Sequence, residues 1–483
     1  MVRTVNAAIM ASVALLCASC MLGSKYKSPE LDLPAVIADK ETDSLSFADL
    51  KWWEVYPDTT LRKLIEKTLE NNKDMLIAAG RVEELQKLQR VNTAALLPSV
   101  GADVSAGYEV DNYGGHIPDR TSTYNGKLQF RWELDLWGNL RWARQKGIND
   151  YLQSVEARHA LRMTLVAEVA TAYFELVALD NELAIVKQTL RTRQEGVGQT
   201  KLRFEGGLTS EIAYRQAQVE MAKAATLIPE LERRVTAKEN EIALLAGEYP
   251  HYINRGVMLE ETMLPGSLPV GLPSELLKRR PDVRAAEYRL KGANAAVGVA
   301  YTDMFPKVSF SGTYGLEVEN EIADFLRSPY GYVGGQILAP IFSWGKLRAK
   351  YKAQQAAYEQ ETERYKKTVL EVFHEANNAI VAYNKRLDAY ESKRTLEQAS
   401  RIYIDLARLQ YINGVIGYLD VLDAQRSYFD AQIGLSNAIR DHQIALVDLY
   451  KALGGGWQTD MTPTQWPDDK HPLSVPDTDG AQK

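Results

Sequence analysis

Cysteine is almost missing: the 483 residues hold two, Cys17 and Cys20, both inside the first twenty positions. A secreted fold held by disulfides would keep its pairs in the mature part, so a disulfide framework is excluded. A surplus of positive charge is missing too, since the formal net charge is −6, and with it goes the electrostatic basis for binding nucleic acid. Beyond the N-terminus no run approaches the roughly 20 apolar residues that a spanning helix needs. Convergent catalytic chemistry is absent as well. The six histidines are scattered, His374-Glu375 has no second His four residues on, and no phosphate-cradling loop precedes Gly345-Lys346. With 45% hydrophobic and 25% charged residues the chain reads as a folded protein that is not an enzyme and needs no metal or other cofactor.

What is present begins at the N-terminus. Arg3, an apolar stretch from Ala7 to Leu16, and the small pair Ala18-Ser19 before Cys20 have the layout of an export signal, too short to span a bilayer. Leu15-Leu16-Cys17-Ala18-Ser19-Cys20 resembles the lipobox of bacterial lipoproteins, with Cys17 where Leu is usual, so the mature chain is expected to start at an acylated Cys20. Met21 follows Cys20 where an inner-membrane retention signal would place Asp, which permits sorting to the outer membrane. A single lipid anchors weakly, so a second membrane attachment is expected.

An internal duplication organises the rest. Leu69, Asp74, Val91 and Pro98 match Leu277, Asp282, Val299 and Pro306. Further on, Trp137-Gly138 matches Trp344-Gly345, Leu140-Arg141 matches Leu347-Arg348, Gly207 matches Gly414, Ala217-Gln218 matches Ala424-Gln425, and Gly247 matches Gly454. A single one-residue shift reconciles the two sets. The expected division is a signal peptide at 1–19, a lipid-anchored linker and equatorial segment at 20–60, a first repeat at 61–250, a linker at 251–268, a second repeat at 269–457 and a tail at 458–483.

Each half holds a moderate helix ending near Leu97-Pro98 or Phe305-Pro306, then strands, then a long helical hairpin. Val100, Ala102, Val104, Ala106, Tyr108 and Val110 alternate with Ser99, Gly101, Asp103, Ser105 and Gly107, the period of a strand with one apolar face. After a polar tip around Asp111 to Ser122, a second strand sets Tyr124, Leu128, Phe130, Trp132 and Leu134 against Asn125, Lys127, Gln129 and Arg131. Val308, Phe310, Tyr314, Leu316 and Val318 repeat the first strand, while the return strand from Tyr330 to Ile341 alternates poorly. A soluble sandwich would alternate too, but strands of about 10 to 12 residues suit a tilted crossing of a bilayer. Four strands cannot close a barrel, and an open edge is forbidden in lipid, so the chain is expected to share a barrel with other copies.

The remaining stretches are helical, with no Pro from Gly138 to Ile228 or from Ile341 to Thr462. Leu165, Val169, Ala172, Leu176, Leu179, Leu183, Val186 and Leu190 step by four and three, the seam of a coiled coil. The matching seam in the second half is looser. About 65 helical residues would reach on the order of 100 Å, the scale of a periplasm.

Leu276-Leu277-Lys278-Arg279-Arg280-Pro281-Asp282-Val283-Arg284-Ala285-Ala286-Glu287, followed by Ala293-Asn294-Ala295 and Phe305-Pro306, resembles the signature of the TolC-like outer-membrane factor family, lipoprotein branch. The resemblance covers roughly residues 50 to 457. It implies a mainly helical fold with membrane strands: four long-helix segments and four strands per chain, in a homotrimer whose twelve-stranded barrel continues into a periplasmic helical barrel. It further implies a passive outer-membrane duct for drugs or other small solutes, fed by a periplasmic adaptor and an inner-membrane pump, commonly of the resistance-nodulation-division class. A lipid-anchored periplasmic adaptor is the alternative, but it would carry one hairpin flanked by small β-domains rather than a duplicated unit.

Asp420 and Asp423 lie three apart on one helix face. From spacing alone, favourable charge near a helix N-terminus or a solvated surface is the preferred explanation. The resemblance reverses this. It places the pair, with Tyr411 as a linking tyrosine, at the narrowest part of the tunnel, where threefold symmetry would gather six carboxylates into a negative ring without structural duty. Ile416 stands where some relatives have Arg, and Ala213, with Glu211 nearby, where they have an acid, so the ring carries over but the lock does not. The turns Gly206-Gly207-Leu208-Thr209 and Gly414-Val415-Ile416-Gly417 are sufficiently explained as helix stops. The resemblance adds that these tips contact the adaptor.

Overall fold

The computed structural model describes residues 21–34, 46–56, 58–111, 119–256 and 273–457. The signal peptide, Cys20, most of the linker at 251–268 and the tail beyond 457 lie outside the described residues. Short turns at Phe47–Asp49 and Trp52–Val55 precede α1 (Thr59–Asn71), α2 (Lys73–Ala94), β1 (Ser99–Asp111), β2 (Asp119–Leu134), α3 (Asn139–Glu205) and α4 (Glu211–Leu245). The second half repeats this order as α5 (Pro273–Arg279), α6 (Pro281–Thr302), β3 (Lys307–Glu319), β4 (Pro329–Leu338), α7 (Lys346–Ile412) and α8 (Tyr418–Ala452).

The duplication is legible element by element. α2 and α6 have 22 residues each, β1 and β3 have 13, α3 and α7 have 67, and α4 and α8 have 35. Glycines at matching helix boundaries share a left-handed backbone: Gly138 and Gly345 at φ +84 and +77, and Gly247 and Gly454 at +71 and +86. The one-residue shift falls in the hairpin connections. Ser99 pairs with Arg131 while Lys307 pairs with Leu338, so the second connection is one residue shorter and the strand register is otherwise the same.

The chain divides into two compact units, and each half of the duplication contributes to both. The first unit takes Lys73–His159, Arg280–His374 and the stretch at 21–34. It contains a four-stranded antiparallel sheet in the order β1-β2-β3-β4. The register places Val100, Val104 and Tyr108 of β1 on the same face as Phe130, Leu128 and Tyr124 of β2 and Phe310, Tyr314 and Leu316 of β3, with Asp103, Lys127 and Thr313 on the other. The fourth strand exists and ends at Leu338, three residues short of the expected Ile341. Its poor alternation comes from glycines at two positions of the apolar face. Gly331 and Gly335 stand at apolar-face positions beside the rings of Tyr314 and Phe310, where an added Cβ would come within 3.7 and 3.3 Å of them. The neighbouring aromatics cover the places that β4 leaves empty.

The stretch after residue 20 is strapped onto this unit. Leu22 N–H donates to the Trp137 carbonyl at 3.1 Å, and the Trp142 indole donates to the Leu22 carbonyl at 2.7 Å. Asn294 reaches the Ser24 carbonyl at 3.3 Å, and the Lys291 ammonium lies 5.5 Å over the ring of Tyr26. Tyr26 itself is held to Glu287 at 3.5 Å.

The second unit contains Ala160–Arg279, Glu375 onward and the stretch at 46–72. Leu165, Val169, Ala172, Leu176, Leu179 and Val186 of the α3 seam are buried, while Leu183 and Leu190 are partly so. Ala172 and Leu176 pack on Ile242 of α4 and Ile253, and Leu179 and Val186 pack on Leu231, so the seam joins the two arms of the first hairpin. In α7 burial is concentrated at Tyr365, Val369, Val372, Ala376, Ile380 and Tyr383 and resumes at Ile404 and Ala407. The stretch between is mostly exposed in the single chain, which is why its apolar period is weak. α4 continues through Pro229. Among the described residues no helix is long and apolar enough to cross a bilayer.

Candidate functional site at the hairpin turns

The two hairpins turn in the same way. Leu208 N–H donates to the Arg203 carbonyl at 2.8 Å, and Val415 N–H to the Gln410 carbonyl at 2.9 Å, each across a glycine with φ near +70, Gly207 or Gly414. This is the Schellman closure, in which the residue after the glycine commonly packs back on its own helix. Here it does not: Leu208 is 72% and Val415 70% exposed. Ile416 differs, since it folds onto Ile404, Ala407 and Ala424 and ties the second turn to its own arms. Thr209 is half-buried, and Gly206 and Gly417 are exposed.

Asp420 and Asp423 are both exposed on the first turns of α8. Each has a local partner, which corrects the expectation of no structural duty. Asp420 accepts from the Gly417 N–H at 3.0 Å and so caps the start of α8, and Asp423 accepts from the Tyr403 hydroxyl at 3.2 Å. Tyr411 lies under the Arg203 guanidinium, 4.9 Å from its ring, and 5.6 Å from Tyr418. Its hydroxyl is buried without a hydrogen-bond partner. Burial, helped by Tyr411, pushes the Tyr418 hydroxyl up to about 12.

One turn further along, a cluster that sequence reasoning missed joins the two hairpins. Glu220 of α4 is buried at a seam position continuing Ala213, Ala217 and Ala224. Its carboxylate receives Arg426 of α8 and, at 3.0 Å, Lys223. Arg193 of α3 donates to the Glu220 carbonyl at 2.7 Å and stands 3.5 Å from its carboxylate. Burial alone would raise the Glu220 pKa, but the hydrogen bonds from Arg426 and Lys223 and the two guanidinium charges hold it down at about 2. Glu211, near the position where an acidic link was sought, instead pairs with Arg215 on its own helix at 3.0 Å. A lone acid in an otherwise apolar seam was the signal available in the sequence. A groove of about 430 Å³ runs beside this cluster, lined by Ile212, Val219, Leu419 and Leu422 among others.

The profile of the outer membrane efflux protein family matches residues 64–248 and 272–455. The chain belongs to this family. It is 29% identical to a toluene efflux pump outer membrane protein, TtgC of Pseudomonas putida, over 93% of this chain and 95% of that one. A probable outer membrane lipoprotein, SilC of Salmonella typhimurium, is 27% identical over 92% and 98%. Among solved structures, the outer-membrane channel OprN superposes with a TM-score of 0.84 at 29% identity, over 91% of this chain and all of that one. This family member is accordingly an outer-membrane efflux channel protein, and nothing in the comparisons supports the adaptor alternative.

Proposed function

We propose that three copies close a twelve-stranded barrel in the outer membrane, that the hairpins extend it as a helical tunnel into the periplasm, and that the assembly is a passive exit for small solutes. The observation that carries this is the sheet: its apolar residues gather on one face, and β1 and β4 are left as bare edges. In hydrocarbon each unpaired backbone group costs several kcal/mol, so those edges must meet other copies. Two copies would give eight strands, whose interior is filled by side chains, whereas three leave a lumen. Acylation at Cys20 would add the second attachment, and the strap at Leu22 would keep the lipid near the base of the barrel.

In this reading Asp420 and Asp423, with Tyr411 behind them, line the constriction, and six converging carboxylates favour cations. The exposed tips at Leu208 and Val415 meet a periplasmic adaptor that couples the duct to an inner-membrane pump of the resistance-nodulation-division class. Relatives named as efflux-pump components support that partnership, and no catalytic step is assigned. Native mass spectrometry from mild detergent, paired with conductance in planar bilayers, tests it: a conducting trimer is expected, and a conducting monomer would refute it.

A further inference from the structure

From Tyr124 to Leu134, every second residue of β2 is a large apolar or aromatic one except Gly126. The register sets Gly126 opposite Val104 of β1 and Leu316 of β3, so this gap lies on the apolar face of the sheet. A ring from the β3–β4 connection fills it: an added Cβ at Gly126 would come within 3.1 Å of Phe325. The connection therefore bends back onto the apolar face, away from the side that carries Asp103, Lys127 and Thr313.

The connection is pinned at both ends. Asn320 donates its N–H to the Ser122 carbonyl at 2.7 Å and accepts from the Ser122 N–H through its side chain at 2.8 Å, while the Glu317 N–H donates to the Ser328 carbonyl at 3.1 Å. Between these ties runs a short 3₁₀ helix, Ile322–Arg327. Residues three apart eclipse in such a helix, which gives it three edges: Ile322 with Phe325, Ala323 with Leu326, and Asp324 with Arg327. Two edges are apolar and the third is charged, its ends 3.9 Å apart. Although the backbone is tied down, Ile322 is 63% and Leu326 81% exposed. Arg120, on the same face as Tyr124 and nearer the tip of β2, is exposed as well.

We infer that this 3₁₀ helix is an anchor in the outer leaflet of the membrane, with Ile322 and Leu326 in the hydrocarbon and the Asp324–Arg327 edge at the headgroups, beside Arg120. Three observations select a lipid surface as the partner. The seat of Phe325 is continuous with the apolar face that carries Val104, Tyr124, Leu128 and Tyr314, so whatever solvates that face also meets the helix. Other copies meet the sheet at β1 and β4, whereas the seat lies on β2, an interior strand. A turn closing the mouth of a water-filled pore would have to lean over the Asp103 side, and it leans the other way. Apolar edges toward the acyl chains with arginines at phosphate level is the arrangement of an interfacial helix.

This inference rests on the reading of the apolar face as lipid-facing, and the experiment separates the two. The full-length chain is prepared as Leu326→Cys, Asp324→Cys and Val104→Cys, each labelled with a nitroxide and reconstituted in vesicles of phosphatidylethanolamine and phosphatidylglycerol, with the labelled wild type as background. Spin-label accessibility to oxygen is compared with accessibility to a water-soluble nickel chelate. Labels at 326 and 104 should both favour oxygen severalfold over the chelate, while the label at 324 should be reached by the chelate. A label at 326 that the chelate reaches as readily as it reaches 324, with 104 still protected, overturns the anchor alone. A label at 104 that the chelate reaches freely overturns the lipid-facing reading with it. Gly126→Leu in the Leu326→Cys background should displace the Phe325 ring and raise chelate access at 326 severalfold, and unchanged access overturns the seat on Gly126.

Discussion

Arg426 on α8 and Glu220 on α4 are hydrogen-bonded across the two hairpins, the carboxylate buried and the guanidinium half exposed. Because Arg193 of α3 meets the same carboxylate, one acid holds three of the four long helices together. Arg426 and Lys223 can return to water if Glu220 is lost, but Arg193 is buried and cannot.

Glu220→Gln should therefore destabilise the hairpin pair by about 2 kcal/mol, most of it the cost of leaving Arg193 without its counter-charge. The pH dependence follows from the lowered pKa of about 2 against an unfolded glutamate near 4.3. Stability from this group is fully present above about pH 4.3 and is lost as pH falls toward 2. Thermal melting of the wild type across that window should decline more steeply than that of Glu220→Gln, and parallel curves would remove the latch.

The N-terminal strap gives a second expectation. Gly298 lies directly beneath the Trp142 ring, and an added Cβ would overlap it. Gly298→Ala should displace Trp142, break its bond to the Leu22 carbonyl and cost roughly 1–3 kcal/mol. Limited proteolysis should then cut within residues 21–34 well before the helices, and an unchanged cleavage pattern would mean that the strap is held elsewhere.

How much of this was legible in the sequence depends on the local signal each element carries. Strands that carry their own apolar side chains along one face alternate cleanly, as β1 and β3 do. β4 does not, because Gly331 and Gly335 give their space to Tyr314 and Phe310, a relation between strands that no single segment displays. The α3 seam was readable because its hairpin buries it within one chain, while α7 carries a weak period where the chain leaves it exposed. At the site, the glycine turns and the aspartate pair were visible as local patterns. Glu220, Arg193 and Arg426 were not, since their meeting depends on residues far apart in sequence that only the packed hairpins bring together.

The tips at Leu208 and Val415 should tolerate charge without loss of fold, since exposed substitutions away from caps and cores usually stay within about 0.5 kcal/mol. Leu208→Asp with Val415→Asp should melt like the wild type yet fail to cross-link to the periplasmic adaptor and fail to support efflux in cells. Full efflux by this variant would move the adaptor contact off the turns.

Conductance of the trimer in planar bilayers, comparing the wild type with Asp420→Asn plus Asp423→Asn, tests the central claim most directly. Asparagine can still accept from the Gly417 N–H and the Tyr403 hydroxyl, so the α8 cap survives while the charge is removed. The wild-type channel should prefer cations and be blocked by multivalent ones, and the double variant should lose that preference and much of the block, with thermal stability unchanged. A double variant that keeps the wild-type cation selectivity would contradict the account and place the constriction away from the start of α8.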